Sequence, residues 1–387
     1  MLENIPPLDL AGQYKTIAAE LEAEVLKVMA SGRYIGGPAV QGFEEQFAAY
    51  IGTSECVACA SGTDALYLAL RALEIGPGDE VITTAFTFIA SAEAMNLAGA
   101  TPVFVDIQED TFNMDVSQVE AAITDKTRAI MPVHLFGQPV DMTQLMEVAR
   151  ARGLAVIEDV AQATGAEWTN LNLEKAIGYK IGSIGDIGCF SFFPTKNLGC
   201  FGDGGACTTN DAAIAAKMRM LKEHGSSRRY YHEKIGINSR LDAIQAAILQ
   251  IKLRYLDIWN DRRRSVARYY HQLLAPLDTV IAPKEIPGGR SVWNQYTIRL
   301  NNTDPYSNSR DRIRNQLSDR GIGSMVYYPF PLHLQPVYQY LGYQAGQLPV
   351  AEQVSQEVLS LPMFPELFPE QQETIVSALK DCLPADS

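Results

Sequence analysis

The sequence predicts an α/β protein: a mostly parallel sheet covered by helices on both faces, joined to a smaller α+β domain. Three observations carry this. Seven short apolar runs alternate with helical patterns between about residues 56 and 223. Glycine, proline, serine or aspartate clusters bound the runs, as turns require. After Asp242 a long helical pattern replaces the alternation. Strands separated by helices need crossover connections, and strands buried on both faces read as continuous apolar runs.

The elements follow in order. An amphipathic pattern over Ile17–Met29 ends at Ser31-Gly32, and Gly36-Gly37-Pro38 breaks the chain, so residues 1–40 read as an N-terminal arm. Cys56–Ala60 is the first strand, and Ser61-Gly62-Thr63-Asp64 turns it into a helix over Ala65–Leu73. Gly76-Pro77-Gly78-Asp79 precedes strand Glu80–Thr84; helix Ala90–Ala98 and strand Thr101–Asp106 come next. Ala129–His134 is a strand, Asp141–Arg152 a helix and Ala155–Glu158 a strand. Ile187–Phe190 and Ala206–Thr209 complete the set, and Asp211 opens a helix to Glu223. Residues 41–260 form the large domain. A helical region over Asp242–Leu274, a strand over Trp293–Leu300, a helix over Ser309–Arg320 and a proline-rich stretch, Tyr328–Pro336, lead into a small C-terminal domain, 261–387.

Composition narrows the function. Of 387 residues, 47% are hydrophobic and 20% charged, which suits a globular chain and argues against disorder. No apolar run approaches the ~18 residues of a membrane span. The net charge of −13 argues against nucleic acid as a partner. The N-terminus carries acids and prolines where a secretion signal needs a basic end, and six cysteines make no disulfide scaffold, so the expected compartment is the cytoplasm. Cys56-x-x-Cys59 has zinc or redox spacing. Strand alternation puts the two thiols on opposite faces and no second ligand pair matches, so they read as buried structural residues and no metal is expected. Arg262-Arg263-Arg264 reads as a solvated helix face, and His134 either approaches a cofactor or is a hydrogen-bonded core residue.

Ligands of open α/β sheets bind beyond the carboxyl ends of the strands. Three polar residues stand there, Thr63, Asp159 and Ser191, and Lys196 follows in Ser191-Phe192-Phe193-Pro194-Thr195-Lys196-Asn197-Leu198-Gly199. Ser61-Gly62-Thr63 at a helix start suits a phosphate, because the first backbone N–H groups are unpaired and glycine permits close approach; plain capping is the alternative. A buried carboxylate at Asp159 needs a positive partner, which a pyridinium supplies. A desolvated lysine loses basicity and becomes a nucleophile. Helix start, carboxylate and lysine together fit pyridoxal phosphate, an electron sink that relies on the protein for orientation.

The motifs Ser61-Gly62-Thr63-Asp64-Ala65-Leu66, Ile157-Glu158-Asp159-Val160-Ala161-Gln162-Ala163, Ser191 to Gly199, Gly202-Asp203-Gly204-Gly205 and Asn238-Ser239-Arg240-Leu241-Asp242 occur in this order. In this combination the sequence resembles the DegT-type nucleotide-sugar aminotransferases, a branch of the aspartate-aminotransferase fold. The resemblance runs from Gly36-Gly37-Pro38 to Leu361-Pro362-Met363. It implies pyridoxal-phosphate fold type I, with a seven-stranded sheet, and pyridoxal 5′-phosphate as cofactor. It implies Lys196 as the Schiff-base lysine and proton shuttle, Asp159 as the pyridinium partner and Gln162 beside the ring hydroxyl. Phe88 falls on the stacking aromatic, and Gly62, Thr63 and Ser191 fall on phosphate ligands. Asn238 falls on a phosphate contact from the neighbouring subunit, so the resemblance implies a homodimer with sites at the interface. Lysine at 196, where sugar-dehydrating relatives carry histidine, implies transamination from L-glutamate to a nucleotide-linked keto sugar in surface-polysaccharide (lipopolysaccharide, O-antigen) synthesis.

Ser191-Phe192-Phe193-Pro194, Arg228-Arg229-Tyr230, Val326-Tyr327-Tyr328-Pro329 and Ser360-Leu361-Pro362-Met363 are similar to the branch that aminates C3 of UDP-2-acetamido-2-deoxy-3-oxo-D-glucuronate. That resemblance implies substrate contacts at Arg240, Tyr327, Tyr328 and His333, with Arg240 a carboxylate or phosphate partner; an interface ion pair is its plain alternative. Tyr327 departs from the histidine common in that branch. The segment Thr169–Lys180 is longer than the pattern, as a surface insertion or a reshaped rim. Two other readings stand beside this one: a dTDP-linked 3- or 4-keto-6-deoxyhexose as substrate, and a cofactor-binding regulator without turnover.

Overall fold

The computed structural model describes residues 4–170, 178–301 and 309–383. Its centre is a seven-stranded sheet in the order Glu55–Cys59, Gly205–Thr209, Ile187–Ser191, Ala155–Asp159, Thr127–Ile130, Glu80–Thr84, Thr101–Val105. Gly205–Thr209 runs antiparallel to both its neighbours, and the remaining pairs are parallel. Side-chain alternation sorts the first strand between two cores. Cys56 and Ala58 enter the core on one face, and Val57 and Cys59 the core on the other. All six cysteines are free and buried, and burial pushes the Cys56 and Cys59 thiols up, which leaves them protonated.

The second helix, Gly37–Ile51, lies where the sequence reading sees only a break. Gly36 caps it at φ +62°, a conformation that favours glycine, and Pro38 sits in its first turn, where a missing N–H costs nothing. The Gly-Gly-Pro signal therefore starts a helix. Phe43 and Phe47 from this helix pack against Phe192 and Phe190 with ring centroids 4.9–5.4 Å apart, all fully buried. Replacing one of them by alanine would cost about 3–5 kcal/mol. Ser191 lies between Phe190 and Phe192, so this ring cluster anchors a strand end on which the site depends.

The helical region after Asp242 is two helices, Ala243–Leu253 and Leu256–Leu274. The second serves two cores: Leu256 packs with the sheet, while Val266, Tyr270 and Leu274 pack with the C-terminal unit. The expected boundary at 260/261 falls inside this helix. The C-terminal unit contains a three-stranded antiparallel sheet, Val280–Ile281, Tyr296–Leu300 and Val358–Leu361, with helices Ser309–Asp319, Pro349–Glu357 and Pro369–Cys382. The N-terminal segment joins it: the Ile5 N–H donates to Gly321 O at 2.9 Å, and the Gly323 N–H donates to Ile5 O at 2.8 Å.

Glu167–Thr169 pairs antiparallel with Gly178–Lys180 on one side and with Gly289–Arg290 on the other; of the long segment Thr169–Lys180, residues 171–177 lie outside the described residues. Among the described residues no helix is long and apolar enough to cross a membrane.

Candidate active site

The site begins where the strand Glu55–Cys59 passes into the helix Gly62–Ala72. Ser61 caps this helix, its Oγ accepting from the Asp64 N–H at 3.1 Å. Gly62 is the first helical residue, and a Cβ there would stand 2.6 Å from Ser191 Cβ and 3.1 Å from its Oγ. The missing side chain leaves backbone N–H groups, the positive end of a helix and the Ser191 hydroxyl facing one small space, which is the composition of a phosphate cradle. Thr63 follows Gly62 in the same first turn. Asp64 is turned away from that space: its Oδ2 accepts from Ser239 Oγ at 2.6 Å.

Asp159 ends the strand Ala155–Asp159 and is 5% exposed. Its Oδ2 accepts from Ser91 Oγ at 2.7 Å and its Oδ1 from the Ala161 N–H at 3.1 Å. Burial pushes its pKa up, opposed by these two donors and by the charge of Lys196. A buried carboxylate with this much donation still calls for a cation in front of it. Gln162, three residues on, accepts from the Phe136 N–H at 2.6 Å and donates from Nε2 to the Tyr328 hydroxyl at 3.1 Å. Both ends of the amide are fixed, so Gln162 and Tyr328 present one rigid edge. Phe88 stands at the mouth, 56% exposed, its ring centroid 6.2 Å from that of Tyr328. His134 is fully buried and bonds on both nitrogens, to Glu158 at 3.2 Å and from the Val140 N–H at 3.0 Å, which makes it a core histidine.

Lys196 lies in the loop after the strand Ile187–Ser191 and is partly exposed. Among the described residues nothing hydrogen-bonds or pairs with its amine. Desolvation pulls its pKa down to about 8, with Asp159 pulling weakly the other way. A substantial fraction of such an amine is neutral near pH 8 and free to attack a carbonyl.

The loop that carries Lys196 is clamped by residues the sequence reading did not single out. Asn197 Nδ2 donates to Asn260 Oδ1 at 2.7 Å and to Val292 O at 2.9 Å, and its Oδ1 accepts from Asn294 Nδ2 at 2.7 Å. Lys252, 2% exposed, donates to Gly199 O at 2.6 Å. Gln245 brackets Phe201 through both backbone groups. Arg263 belongs to the triplet read as a solvated face; it is 3% exposed and donates to Trp293 O, Asn294 O and Met363 O at 3.0–3.2 Å. Three arginines in a row hide which one turns inward.

Asn238, Arg240, Tyr327 and His333 stand in different surroundings. Asn238 is exposed, while its neighbour Ser239 is buried and accepts from the Ala60 N–H. Arg240 pairs with Glu223 at 3.1 Å and lines a pocket of about 410 Å³ with Arg228, Arg229 and His232, not the one beside Lys196. Tyr327 lines a cleft of about 210 Å³ that also touches Thr195, the neighbour of Lys196. His333, expected to line the sugar pocket, is 1% exposed, with Nε2 bonded to Glu352 at 3.1 Å and its ring against Tyr343. Its short 3-10 turn, Leu332–Leu334, turns it into a core of apolar side chains. No group of His, Cys, Asp and Glu among the described residues could hold a metal ion.

An unpaired low-pKa amine, a buried carboxylate, a rigid amide edge and a glycine-made anion cradle fit pyridoxal phosphate, residue for function. A model of the DegT/DnrJ/EryC1/StrS aminotransferase family matches residues 15–380. The chain is 49% identical over 98% of its length to a "pleiotropic regulatory protein" of Geobacillus stearothermophilus, itself 98% covered. It is 46% identical to the UDP-N-acetyl-3-dehydro-α-D-glucosamine 3-aminotransferase of Acidithiobacillus ferrooxidans, with 98% of each chain covered. The crystal structure of Streptomyces venezuelae DesV in complex with a ketimine intermediate superposes with a TM-score of 0.92 at 45% identity, covering 99% of this chain and 100% of that one.

Proposed function

We propose a function from one settled premise: the chain belongs to the DegT/DnrJ/EryC1/StrS aminotransferase family and is a pyridoxal-phosphate-dependent aminotransferase of nucleotide-linked keto sugars. Our reading is that it moves an amino group from L-glutamate to the 3-keto carbon of such a sugar. The UDP-linked 2-acetamido hexuronate of the sequence reading is one candidate of this class, and a neutral 3-keto hexose is another. The observation that carries the reading is Lys196: a partly exposed amine with no partner among the described residues, held near pKa 8 beside Asp159.

Pyridoxal phosphate supplies an electron sink that makes a proton on the substrate carbon labile. The protein does the rest. Lys196 would hold the cofactor and carry the proton to and from the substrate carbon, a general acid–base role suited to an amine of pKa about 8. Asp159, whose carboxylate oxygens accept from Ser91 and the Ala161 N–H, would face the ring nitrogen and hold it protonated. Gly62, Thr63 and Ser191 would hold the phosphate, Gln162 would orient the ring hydroxyl and Phe88 would cover the ring. Asn238 is exposed, so we assign it to the phosphate of a second copy, in a homodimer whose sites lie at the interface.

A dTDP-linked keto-deoxyhexose remains the second reading, favoured by 45% identity to the dTDP-3-amino-3,4,6-trideoxy-α-D-glucose transaminase of Streptomyces venezuelae. The complete set of Lys196, Asp159 and Gln162 speaks for turnover over a purely regulatory role. The test is to incubate the cofactor-loaded protein with glutamate and a UDP-linked 3-keto sugar and follow 2-oxoglutarate and the amino sugar by mass spectrometry. Equimolar formation of both is expected. Absence of 2-oxoglutarate with every keto sugar would remove the reading.

A further inference from the structure

Asp159 ends a buried strand, and among the described residues one side chain hydrogen-bonds to it: Ser91, whose hydroxyl donates to Oδ2 at 2.7 Å from 68 residues away in the chain. The other donor, the Ala161 N–H on Oδ1, lies two residues further on in the same stretch. Ser91 sits in the first turn of the helix Ala90–Ala98 and is 1% exposed. One turn back, the buried Thr87 holds its Oγ1 3.1 Å from Ser91 Oγ.

A serine hydroxyl has one proton to give, and an ionised carboxylate can only accept. With that proton on Asp159, the contact between the two hydroxyls has one direction: Thr87 donates and Ser91 accepts. The result is a relay from Thr87 to Ser91 to Asp159, in which each donor polarises the next. Phe88 lies between the two hydroxyl residues in sequence. The short stretch 87–91 therefore carries both the aromatic assigned to the ring and the donor that fixes the carboxylate assigned to its nitrogen.

Desolvation favours the neutral form of Asp159, and the Ser91 hydrogen bond is the largest influence opposing it. Lys196 and His134 oppose it more weakly, and Tyr328 and Cys189 lie within reach of its charge. One donor stands on each carboxylate oxygen, so about two of the roughly four acceptor positions stay open for a further N–H.

The geometry points to Ser91 as a positioning residue: with Thr87 behind it, it orients the Asp159 carboxylate and favours the ionised, accepting form that a protonated ring nitrogen needs. This rests on the reading that Asp159 meets the ring nitrogen of the cofactor, and the experiment separates the two.

The probe is pyridoxamine 5′-phosphate, which has an amine in place of the aldehyde and forms no bond with Lys196. Its Kd for the full chain, freed of cofactor, is measured by equilibrium dialysis between about pH 8 and about pH 5. The phosphate titrates in this range alike for every variant, so differences between variants report the protein. Affinity falls as pH drops through the Asp159 titration, and Asp159→Asn is expected to abolish this part of the fall. An unchanged profile in Asp159→Asn would remove the parent reading, and the proposal with it, before Ser91 is considered. Ser91→Ala places a strong helix former at a helical position. It is expected to match the wild type near pH 8 and to begin its fall about 1–2 pH units higher, so that binding near pH 5 is about 10–100-fold weaker. A fall at the wild-type pH, or an equal loss at every pH, would make Ser91 a structural contact and overturn the proposal. Thr87→Val is expected to move the fall the same way by less; no movement overturns the relay. Thr87→Val keeps the shape of the side chain, so it decides the matter if Ser91→Ala does not fold.

Discussion

Two desolvated environments in this protein each hold a lysine near pKa 8, and they do different things with it. Around Lys196 the amine has no partner among the described residues, part of the side chain is open, and a carboxylate stands close enough to act on its charge. Around Lys252 the amine donates to Gly199 O at 2.6 Å, the residue is 2% exposed and the nearest influence is the Cys200 thiol. Burial lowers both by the same mechanism. A depressed pKa is therefore no signature of a nucleophile by itself. Access and an uncommitted lone pair are what separate the reactive lysine from the one that pins its loop.

Ranked by effect, Lys196→Ala comes first. It removes the nucleophile and the proton carrier together, so turnover should fall beyond the ~10²–10⁴ of a lost acid–base group, and the visible band of the bound cofactor should vanish. Asp159→Asn keeps the shape and removes the charge; kcat should drop by about 10²–10³. The loss should deepen as pH rises, because a ring nitrogen without its anion gives up its proton at lower pH; a flat loss across pH would argue that Asp159 only caps the strand end. Gly62→Ala pushes a methyl toward Ser191, and overpacking of about 1–3 kcal/mol should weaken cofactor binding roughly tenfold, measured by equilibrium dialysis.

Lys252→Met should have the smallest effect. It leaves the Gly199 carbonyl unpaired, for a loss of about 1–3 kcal/mol seen as a lower Tm, while the band stays. Loss of the band in a folded Lys252→Met protein would break the comparison. The comparison can also be sharpened with pH. A folded-state lysine pKa pulled down to about 8 means that the rate of cofactor capture by the cofactor-free protein climbs up to about pH 8 and then levels. An ordinary lysine would keep gaining to beyond pH 10.

Much of this was legible in the sequence, for a physical reason. The strands are short apolar runs between turn residues, and each of the seven lies within about two residues of its expected start, as Glu80–Thr84 and Ala155–Asp159 illustrate. Asp159 ends a strand and Lys196 follows the end of another, where local pattern and chemistry coincide, whereas Gln162 comes from the family resemblance alone. What was hidden depends on distant pairs. Asn197 meets Asn260 and Asn294 across 63 and 97 residues, and Lys252 meets Gly199 across 53. No local signal distinguishes those residues from solvated ones. Gly36-Gly37-Pro38 misled for the opposite reason: a turn signal and a helix start use the same residues, and only the left-handed φ of Gly36 decides between them.

The most direct test of the central claim is to find which lysine holds the cofactor. The holoenzyme is treated with borohydride, which fixes the cofactor on the amine that carries it, and the digested protein is mapped by mass spectrometry. The account predicts a single modified peptide, the one containing Lys196. Label on the Lys252 peptide, or on none, would contradict it.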